Sequence, residues 1–251
     1  MRLALLTDIH GNREAFDACH AEARRLGAEN FVYLGDLVGY GADPAYVVDR
    51  VAEDFATGGF GVMGNHDLGV VAPGARRIYD EARRALDYAG ELLDPAQKNF
   101  LAALPLTATR ADASGREILF VHAEASAPGR FLYVQTAEDA TRSMDATAAS
   151  VTFCGHLHRP RLYHRSGAAP AIAFTPTSTP TPLARSRRWL ATLGSVGQPR
   201  DGDPRAAFAL YDLDRALLTF HRVDYDVEAA ARKIVQAGLS EFFAERLFAG
   251  R

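Results

Sequence analysis

Five short apolar runs constrain the fold of this chain most strongly, because each of them ends in a cluster of polar residues. The runs have the length and side-chain character of buried strands. In chain order they are Leu3–Thr7, Phe31–Leu34, Gly61–Met63, Ile118–Val121 and Val151–Cys154. In open α/β sheets, the loops at the carboxyl ends of neighbouring parallel strands converge on one crevice. We therefore expect the polar residues that follow these runs to meet in a single site.

Helical patterns separate the early runs, whereas strand patterns follow one another later in the chain. The predicted early helices are Arg13–Leu26, Pro44–Asp54, Arg76–Leu93, Ala96–Leu104 and Glu138–Ala148. The later strands are Ala171–Phe174, Trp189–Leu193, Phe208–Leu213 and Leu217–Val223, and the closing helices are Val227–Ala237 and Glu241–Phe248. This order favours a layered α-β-β-α sandwich with two central mixed sheets over a pure doubly wound sheet.

The 251 residues are predicted to form one α/β domain over residues 1–251. Residues 73–104 contain two of the predicted helices, and we interpret them as a helical insertion that could form part of a lid. Four arginines lie there at helical spacing, namely Arg76, Arg77, Arg83 and Arg84. A solvated helix face explains them better than a phosphate clamp does.

Composition and charge narrow the classes of function. Hydrophobic residues make up 48% of the chain and charged residues 24%, as in proteins with a sizeable core. The formal net charge is −3 and no basic stripe occurs, so stable nucleic-acid binding is not expected. Two cysteines, Cys19 and Cys154, do not make a disulfide framework or a thiolate zinc site. Apolar runs long enough for a membrane span or a secretion signal are missing, so we expect a cytoplasmic protein.

The polar residues after the five runs offer oxygen and imidazole donors for metal ions. The potential ligands are Asp8, His10, Asp36, Asn65, His122, His156 and His158. This set suits Mn, Fe, Co, Ni or Zn better than Mg or Ca. Seven donors are too many for one tetrahedral ion, so we expect two divalent ions that share a bridging carboxylate. Such a pair lowers the pKa of a bridging water, and the expected nucleophile is therefore a metal-bridging hydroxide.

The ordered motifs resemble the signature of the calcineurin-like metallophosphoesterases. The matching segments are Asp8-Ile9-His10-Gly11-Asn12, Gly35-Asp36, Gly64-Asn65-His66-Asp67, His122 and Gly155-His156-Leu157-His158. The stretch Gly194–Asp212 is similar to prokaryotic phosphodiesterase and diadenosine tetraphosphatase-like members. The resemblance implies the calcineurin-like fold and the hydrolysis of a small phosphodiester or a dinucleoside polyphosphate, with manganese among the candidate ions.

The resemblance also implies a role for each matching residue. One ion would be held by Asp8, His10, Asp36 and His158, and the other by Asp36, Asn65, His122 and His156. Asp36 would be the bridge, and His66 would stabilise the transition state or protonate the leaving oxygen, unless it is only structural. Asn12 would hydrogen-bond a substrate phosphate, although asparagine here is equally suited to be the N-cap of the following helix.

One departure from the family pattern bears on the substrate. Ser/Thr protein phosphatases of this superfamily have Gly-Asp-x-Val-Asp-Arg-Gly where this chain reads Gly35-Asp36-Leu37-Val38-Gly39-Tyr40-Gly41. The arginine that grips the phosphate is absent at this place, and Arg159, Arg161, Arg200 or Tyr40 could replace it. Arg200, in a loop, is the preferred substrate-binding residue. The alternatives to a phosphodiesterase of small phosphate esters or nucleotides are a phosphomonoesterase or protein phosphatase, and a non-catalytic metal-binding scaffold.

Overall fold

Two mixed β-sheets lie face to face, and helices cover their outer surfaces. The computed structural model describes residues 1–74 and 80–251. In these ranges the strands are β1 (Arg2–Leu6), β2 (Asn30–Tyr33), β3 (Phe60–Gly61), β4 (Thr107–Ala111), β5 (Glu117–Val121), β6 (Val151–Cys154), β7 (Arg161–Arg165), β8 (Ile172–Phe174), β9 (Thr181–Pro182), β10 (Arg188–Thr192), β11 (Ala206–Asp212) and β12 (Leu217–Val223). The helices are α1 (Arg13–Arg25), α2 (Pro44–Ala56), α3 (Asn65–Val71), α4 (Asp80–Leu92), α5 (Pro95–Ala102), α6 (Ala137–Asp145), α7 (Val227–Gln236) and α8 (Glu241–Ala249). None of them is long and apolar enough to cross a membrane.

The strand order brings the predicted polar clusters to the same edge of each sheet. The first sheet has the order β3-β2-β1-β11-β12-β9, and the second has the order β4-β5-β6-β10-β7-β8. Strands β1, β2 and β3 run parallel to one another, and so do β5, β6 and β10. Their carboxyl ends are therefore neighbours within each sheet. The predicted α/β sandwich with two central mixed sheets is confirmed.

Alternation of side chains along the strands divides the core into layers. Leu3 and Leu5 of β1 pack between the sheets, where Phe153 of β6 also lies. Leu6 faces the opposite way and packs with Phe16 of α1. Full burial of an aliphatic or aromatic side chain of this size contributes about 1.5–3 kcal/mol. The stability of the fold therefore comes from these layers, and they can support strained loops at the strand ends.

Several elements differ from the sequence-based prediction. Strands β4, β7 and β9 are absent from that prediction, because β4 is mostly exposed and β7 has charged residues at both ends. The predicted strand Gly61–Met63 is instead the shorter β3. Helix α3 begins at Asn65, in a segment whose glycine and asparagine also suit a turn.

Two helices of the region 73–104, α4 and α5, pack onto other helices of the chain. Helices α4 and α5 contact α2 and α3, and Leu86 of α4 is buried in that interface. Arg83 and Arg84 are exposed, as expected for a solvated helix face. The start of the predicted helix Arg76–Leu93, with Arg76 and Arg77, lies outside the described residues. A lid function of this region stays a prediction.

Candidate metal centre

The loops after β1, β2 and β6 hold their polar residues in the left-handed backbone region. Asp8, His10, Asp36, His156 and His158 have φ angles of 53°, 52°, 53°, 66° and 59°. They are five of the eight non-glycine residues with positive φ in the part of the chain that is described. Aspartate and histidine tolerate this region better than β-branched residues do, but it still costs folding free energy. Backbone strain is therefore concentrated where the predicted ligands lie.

Hydrogen bonds and a close approach hold these loops against one another. The N–H of Asp8 donates to the carbonyl of Gly35, and the N–H of His10 donates to the carbonyl of Asp36, both at 3.0 Å. The loop after β6 approaches β1 so closely that a Cβ at Gly155 would lie 2.7 Å from Asp8 Oδ2. Only glycine fits at that position, and it brings the two sheets' ligand loops together.

Three predicted ligands form one group of donor atoms. The ligand atoms of Asp8, His10 and His158 lie within 4.8 Å of one another, and all three residues are buried. His158 Nε2 is 3.2 Å from His10 Nε2 and 3.3 Å from Asp8 Oδ1. Asp36 Oδ2 borders this group, at 3.8 Å from His10 Nε2. The four residues expected around one ion are thus together.

A second group lies on the other side of Asp36. It joins Asp36 with His122 and His156, whose ligand atoms again lie within 4.8 Å of one another. Asp36 Oδ2 is 3.3 Å from His122 Nε2. That nitrogen lies 3.2 Å from His156 Nδ1 and 3.2 Å from Asn65 Oδ1. The same oxygen of Asp36 therefore faces both groups.

Backbone carbonyls determine which nitrogen of each histidine ring faces the site. The Nδ1 atoms of His10, His122 and His158 lie 3.1, 2.6 and 2.6 Å from carbonyl oxygens. Because a carbonyl only accepts, each Nδ1 carries a proton and Nε2 is left to act as a ligand. His10 and His158 then face each other with lone pairs, and the buried oxygens Asp8 Oδ1 and Asp36 Oδ2 have no hydrogen-bond partner among the described residues. Acceptors that converge without a donor repel one another, so these residues fit divalent cations.

The protonation preferences of the site also fit metal ligands. Burial by itself raises the pKa of Asp36, but the charges of His122 and His66 outweigh it and hold the pKa well below its usual value. Burial lowers the pKa of His122, yet the charge of Asp36 raises it to about 9. Burial and the charge of His122 lower the pKa of His156 to about 3, and burial lowers the pKa of His10. Ionised carboxylates and neutral imidazoles bind metal, so Asp36, His10 and His156 already have the protonation states of ligands. His122 differs, because its imidazole has to release a proton when an ion binds.

Comparison with known proteins identifies the family of this chain. The sequence model of the calcineurin-like phosphoesterase superfamily domain matches residues 1–216. The chain belongs to this superfamily. An uncharacterized protein of Methanocaldococcus jannaschii is 30% identical to it over 252 residues, which cover 99% of this chain and 98% of that protein. The crystal structure of a metallophosphoesterase from Sphaerobacter thermophilus is 30% identical, with a TM-score of 0.84 over 100% of this chain and 99% of that one. A hypothetical protein from Pyrococcus horikoshii, 21% identical, has the same fold, with a TM-score of 0.79 over 100% of this chain and 98% of that one.

Membership of the calcineurin-like phosphoesterases confirms the family resemblance of the motifs. It makes the chain a hydrolase of phosphate esters. The family uses divalent metal ions, and the buried Asp and His groups of this phosphoesterase are suited to hold them.

His66 of the phosphoesterase lies beside both groups of predicted ligands. Its ligand atom is within 4.8 Å of those of His10 and Asp36. Its backbone N–H donates to Asp36 Oδ1 at 2.7 Å, and its buried Nδ1 has no hydrogen-bond partner in the part of the chain that is described. A Cβ at Gly39 would lie 2.4 Å from His66 Nδ1, so the ring position depends on that glycine. His66 is thus at the metal centre, and its catalytic role stays a prediction.

Asn12 is the N-cap of α1, one of its two predicted roles. Its Oδ1 accepts a hydrogen bond from the N–H of Ala15 at 3.1 Å, and its Nδ2 donates to the carbonyl of Gly197 at 2.9 Å. The side chain is buried. Both ends of the amide are therefore engaged within the protein, and contact of Asn12 with a substrate phosphate stays a prediction.

Arg200 lies at the rim of the metal centre. Its guanidinium carbon is 5.8 Å from the centroid of the Tyr40 ring. Tyr40 in turn packs against His10 and His66, with 4.5 Å between ring centroids in each case. Arg200 Nη2 donates to Gln198 Oε1 at 2.7 Å. A phosphate bound by the predicted ligands would therefore lie near this guanidinium, and its contact with Arg200 stays a prediction.

Asp67 is a supporting residue whose role the sequence reasoning did not identify. Its carboxylate accepts hydrogen bonds from the N–H groups of Gly64, Asp36 and Leu37, at 2.9, 2.8 and 2.9 Å. It thereby ties the loop after β2 to the start of α3. The signal was present in the sequence, because an acidic residue three places after a helix N-cap is a helix-start pattern.

Proposed function

We propose that this phosphoesterase hydrolyses a phosphodiester or phosphoanhydride of a small molecule and that it does so with two divalent ions. Asp8, His10, Asp36 and His158 would hold one ion, and Asp36, Asn65, His122 and His156 the other. The observation that carries this proposal is the position of Asp36 Oδ2, which is 3.8 Å from His10 Nε2 and 3.3 Å from His122 Nε2. This oxygen is buried, and no group in residues 1–74 or 80–251 donates a hydrogen bond to it. A carboxylate oxygen that faces two sets of imidazoles suits a shared ligand.

The donor types favour particular ions. Four imidazoles and few carboxylates suit Mn, Fe, Co, Ni or Zn, whereas Mg and Ca prefer oxygen. Two bound ions supply an activated water as nucleophile and positive charge for the oxygens of the transition state. The side chains of the protein hold these ions, orient the phosphate and assist the leaving group.

His66 is the proposed catalytic side chain besides the bridging Asp36. Burial lowers the pKa of His66 to about 4, so the imidazole is neutral near pH 7. A neutral imidazole can donate a hydrogen bond to a phosphate or leaving-group oxygen without adding a fixed charge. Its position between Asp36 and Tyr40 keeps it beside the reacting phosphate. Arg200 supplies the permanent positive charge at the rim.

The absence of an arginine at Tyr40 supports a substrate other than a phosphoprotein. Tyr40 fills this place with an aromatic ring packed on His10 and His66. A guanidinium reaches the region from a different loop, that of Arg200, whose guanidinium carbon is 5.8 Å from the centroid of the Tyr40 ring. The substrate phosphate would thus be bound by Arg200, in the loop after β10, and not by a residue of the loop after β2.

Hydrolysis of two model esters tests the proposal. Protein stripped of metal would be assayed with bis-p-nitrophenyl phosphate and p-nitrophenyl phosphate, with Mn, Co, Ni, Zn or Mg added back. The proposal predicts metal-dependent cleavage of the diester, which falls in the variant His66→Gln and persists in the matched control His164→Gln. His164 lies on β7 and packs against Trp189, away from the ligand loops.

Two results would count against the proposal. Cleavage of the monoester alone would favour a phosphomonoesterase. No turnover of either ester or of a dinucleoside polyphosphate, with two ions bound, would favour a scaffold function.

A further inference from the structure

A cleft lined by three arginines adjoins the metal centre. It has a volume of about 520 Å³, and its walls include Tyr133, Leu157, Arg159, Arg161 and Arg200. Clefts of about 300–1,000 Å³ are typical of small-molecule sites. None of its described lining residues is acidic.

The arginines of the cleft have no carboxylate partner. In residues 1–74 and 80–251, no carboxylate oxygen lies within 4.0 Å of the guanidinium groups of Arg159, Arg161 or Arg200. Their hydrogen bonds go to neutral oxygens, such as the bond from Arg159 Nε to the carbonyl of Arg200 at 2.6 Å. Arg161 Nη1 lies 3.3 Å from Thr175 Oγ1. By contrast, Arg142 on the nearby α6 pairs with two acidic residues. The charge of the cleft is therefore uncompensated by the protein, although the chain as a whole is negative.

The cleft begins at the ligand loop itself. Leu157 stands between His156 and His158, and Arg159 follows directly. The ring of Tyr133 stacks on that of His156, with 4.2 Å between centroids and 12° between planes. The backbone N–H of Arg200 donates to the carbonyl of His158 at 3.2 Å. The cleft is therefore lined by residues that adjoin two of the predicted ligands, His156 and His158.

A fourth guanidinium adds to the positive potential. Arg246 of α8 is half-buried. Burial and the charge of Arg200 lower the pKa of Arg246. Two guanidinium groups that repel each other at the rim of a metal site gain stability when an anion binds between or beside them.

We propose that the arginine cleft is a subsite for a second phosphate group of the substrate, beyond the phosphate that is cleaved. The planar forks of Arg159 and Arg161 match phosphate oxygens, and the volume of the cleft admits a phosphate with part of its sugar or chain. The substrate would then be a phosphorylated small molecule with two phosphate groups, such as a phosphoanhydride or a nucleotide with an additional phosphate. This inference rests on the proposed function, because it assigns the first phosphate to the metal centre.

Binding of inorganic pyrophosphate to metal-free protein tests the subsite directly. Without ions, the buried carboxylates Asp8 and Asp36 repel anions, so binding reports on the arginines alone. Titration calorimetry at low ionic strength should show pyrophosphate binding to wild type, and the double variant Arg159→Gln/Arg161→Gln should bind at least about tenfold more weakly, as expected for loss of charge-assisted hydrogen bonds. Arg215→Gln is the matched control, since Arg215 is an exposed arginine in the turn between β11 and β12, at the opposite edge of the first sheet. Equal binding by wild type and the double variant would overturn the inference.

A pair of substrates separates this inference from the proposed function. Thymidine 5′-p-nitrophenyl phosphate and its 3′-phosphorylated form differ by one phosphate. The subsite predicts a higher kcat/KM for the bisphosphate, and a ratio of the two kcat/KM values that falls about tenfold in the double variant. Turnover of the diester with a ratio that the double variant does not change would overturn the subsite but leave the proposed function in place. Pyrophosphate binding that depends on the arginines, without any turnover, would support the subsite and contradict the proposed function.

Discussion

The substitution Asp67→Asn should destabilise the protein strongly, although it changes one atom. The Asp67 carboxylate is buried and accepts backbone N–H groups at both oxygens. Oδ2 accepts from Gly64 and Asp36, and Oδ1 accepts from Leu37 at 2.9 Å and Val38 at 3.4 Å. An asparagine keeps one oxygen and turns an NH₂ group towards the other pair of donors. Each buried N–H left without an acceptor costs about 1–3 kcal/mol, so the free energy of unfolding should fall by about 2–6 kcal/mol.

Urea unfolding of metal-free protein measures this loss without a contribution from bound ions. The matched control is Asp94→Asn, at the exposed N-cap of α5, where the carboxylate accepts from the N–H of Gln97 at 2.8 Å. Asparagine caps helices about as well as aspartate, so this control should change the free energy of unfolding by less than about 0.5 kcal/mol. A loss below about 1 kcal/mol for Asp67→Asn would refute the reasoning, because the four N–H groups would then have another acceptor.

Three further predictions concern the site and the fold. His66→Gln should lower kcat by about 10²–10⁴ while the metal content, measured by mass spectrometry, stays at the wild-type value; loss of metal would instead make His66 a ligand. Gly39→Ala should also lower kcat, because the Cβ of the alanine would lie 2.4 Å from His66 Nδ1. Gly202→Ala is the control and should leave kcat unchanged, since Gly202 has the same φ of +90° but no described atom would lie within 4 Å of the new Cβ. Equal kcat values for the two variants would contradict the steric argument. Burial raises the pKa of Asp112, but the hydrogen bonds it accepts outweigh this and lower it. Its ionised form therefore stabilises the fold above the unfolded pKa of about 3.9, and the stability advantage of wild type over Asp112→Asn in urea unfolding should shrink as the pH falls below about 4; an advantage independent of pH would contradict it.

The layers of the fold could be predicted because strands that are buried on both faces appear in the sequence as short runs rich in apolar residues. Runs such as Phe31–Leu34 and Val151–Cys154 are mostly apolar because both of their faces are covered. Strand β4 has no such apolar run, since most of its side chains are exposed. Strand β7 was missed for a related reason: its central Leu162 and Tyr163 are buried, but arginines stand at its ends.

The ligands could be predicted, but much of what orients them could not. Asp8, His10 and Asp36 follow strands directly, and the strand ends fix their place. The acceptors of the histidine Nδ1–H groups are backbone carbonyls, such as that of Gln198 for His158. Because every residue has a backbone carbonyl, the residue types in the sequence do not show which one accepts the hydrogen bond. Tyr133, which stacks on His156, lies in an irregular segment where no periodicity predicts its position.

The sequence pattern could not predict that three arginines line one cleft either. Arg159 and Arg161 belong to the segment after β6, and Arg200 belongs to the loop after β10. These segments meet because β6 and β10 are parallel neighbours. The sequence placed the three arginines among the candidates for binding phosphate, and only the strand pairing shows that they share one cleft.

The proposed function depends most directly on whether Asp36 holds two ions. Metal-free wild type and Asp36→Asn would be titrated with Mn²⁺, and the bound ions would be counted by titration calorimetry and by elemental mass spectrometry after gel filtration. We predict two ions per chain for wild type and the loss of at least one in Asp36→Asn, with hydrolysis abolished, because the neutral amide removes the shared charge between the two groups of ligands. A single ion in saturated wild type, or two ions and full turnover in Asp36→Asn, would contradict the proposed function.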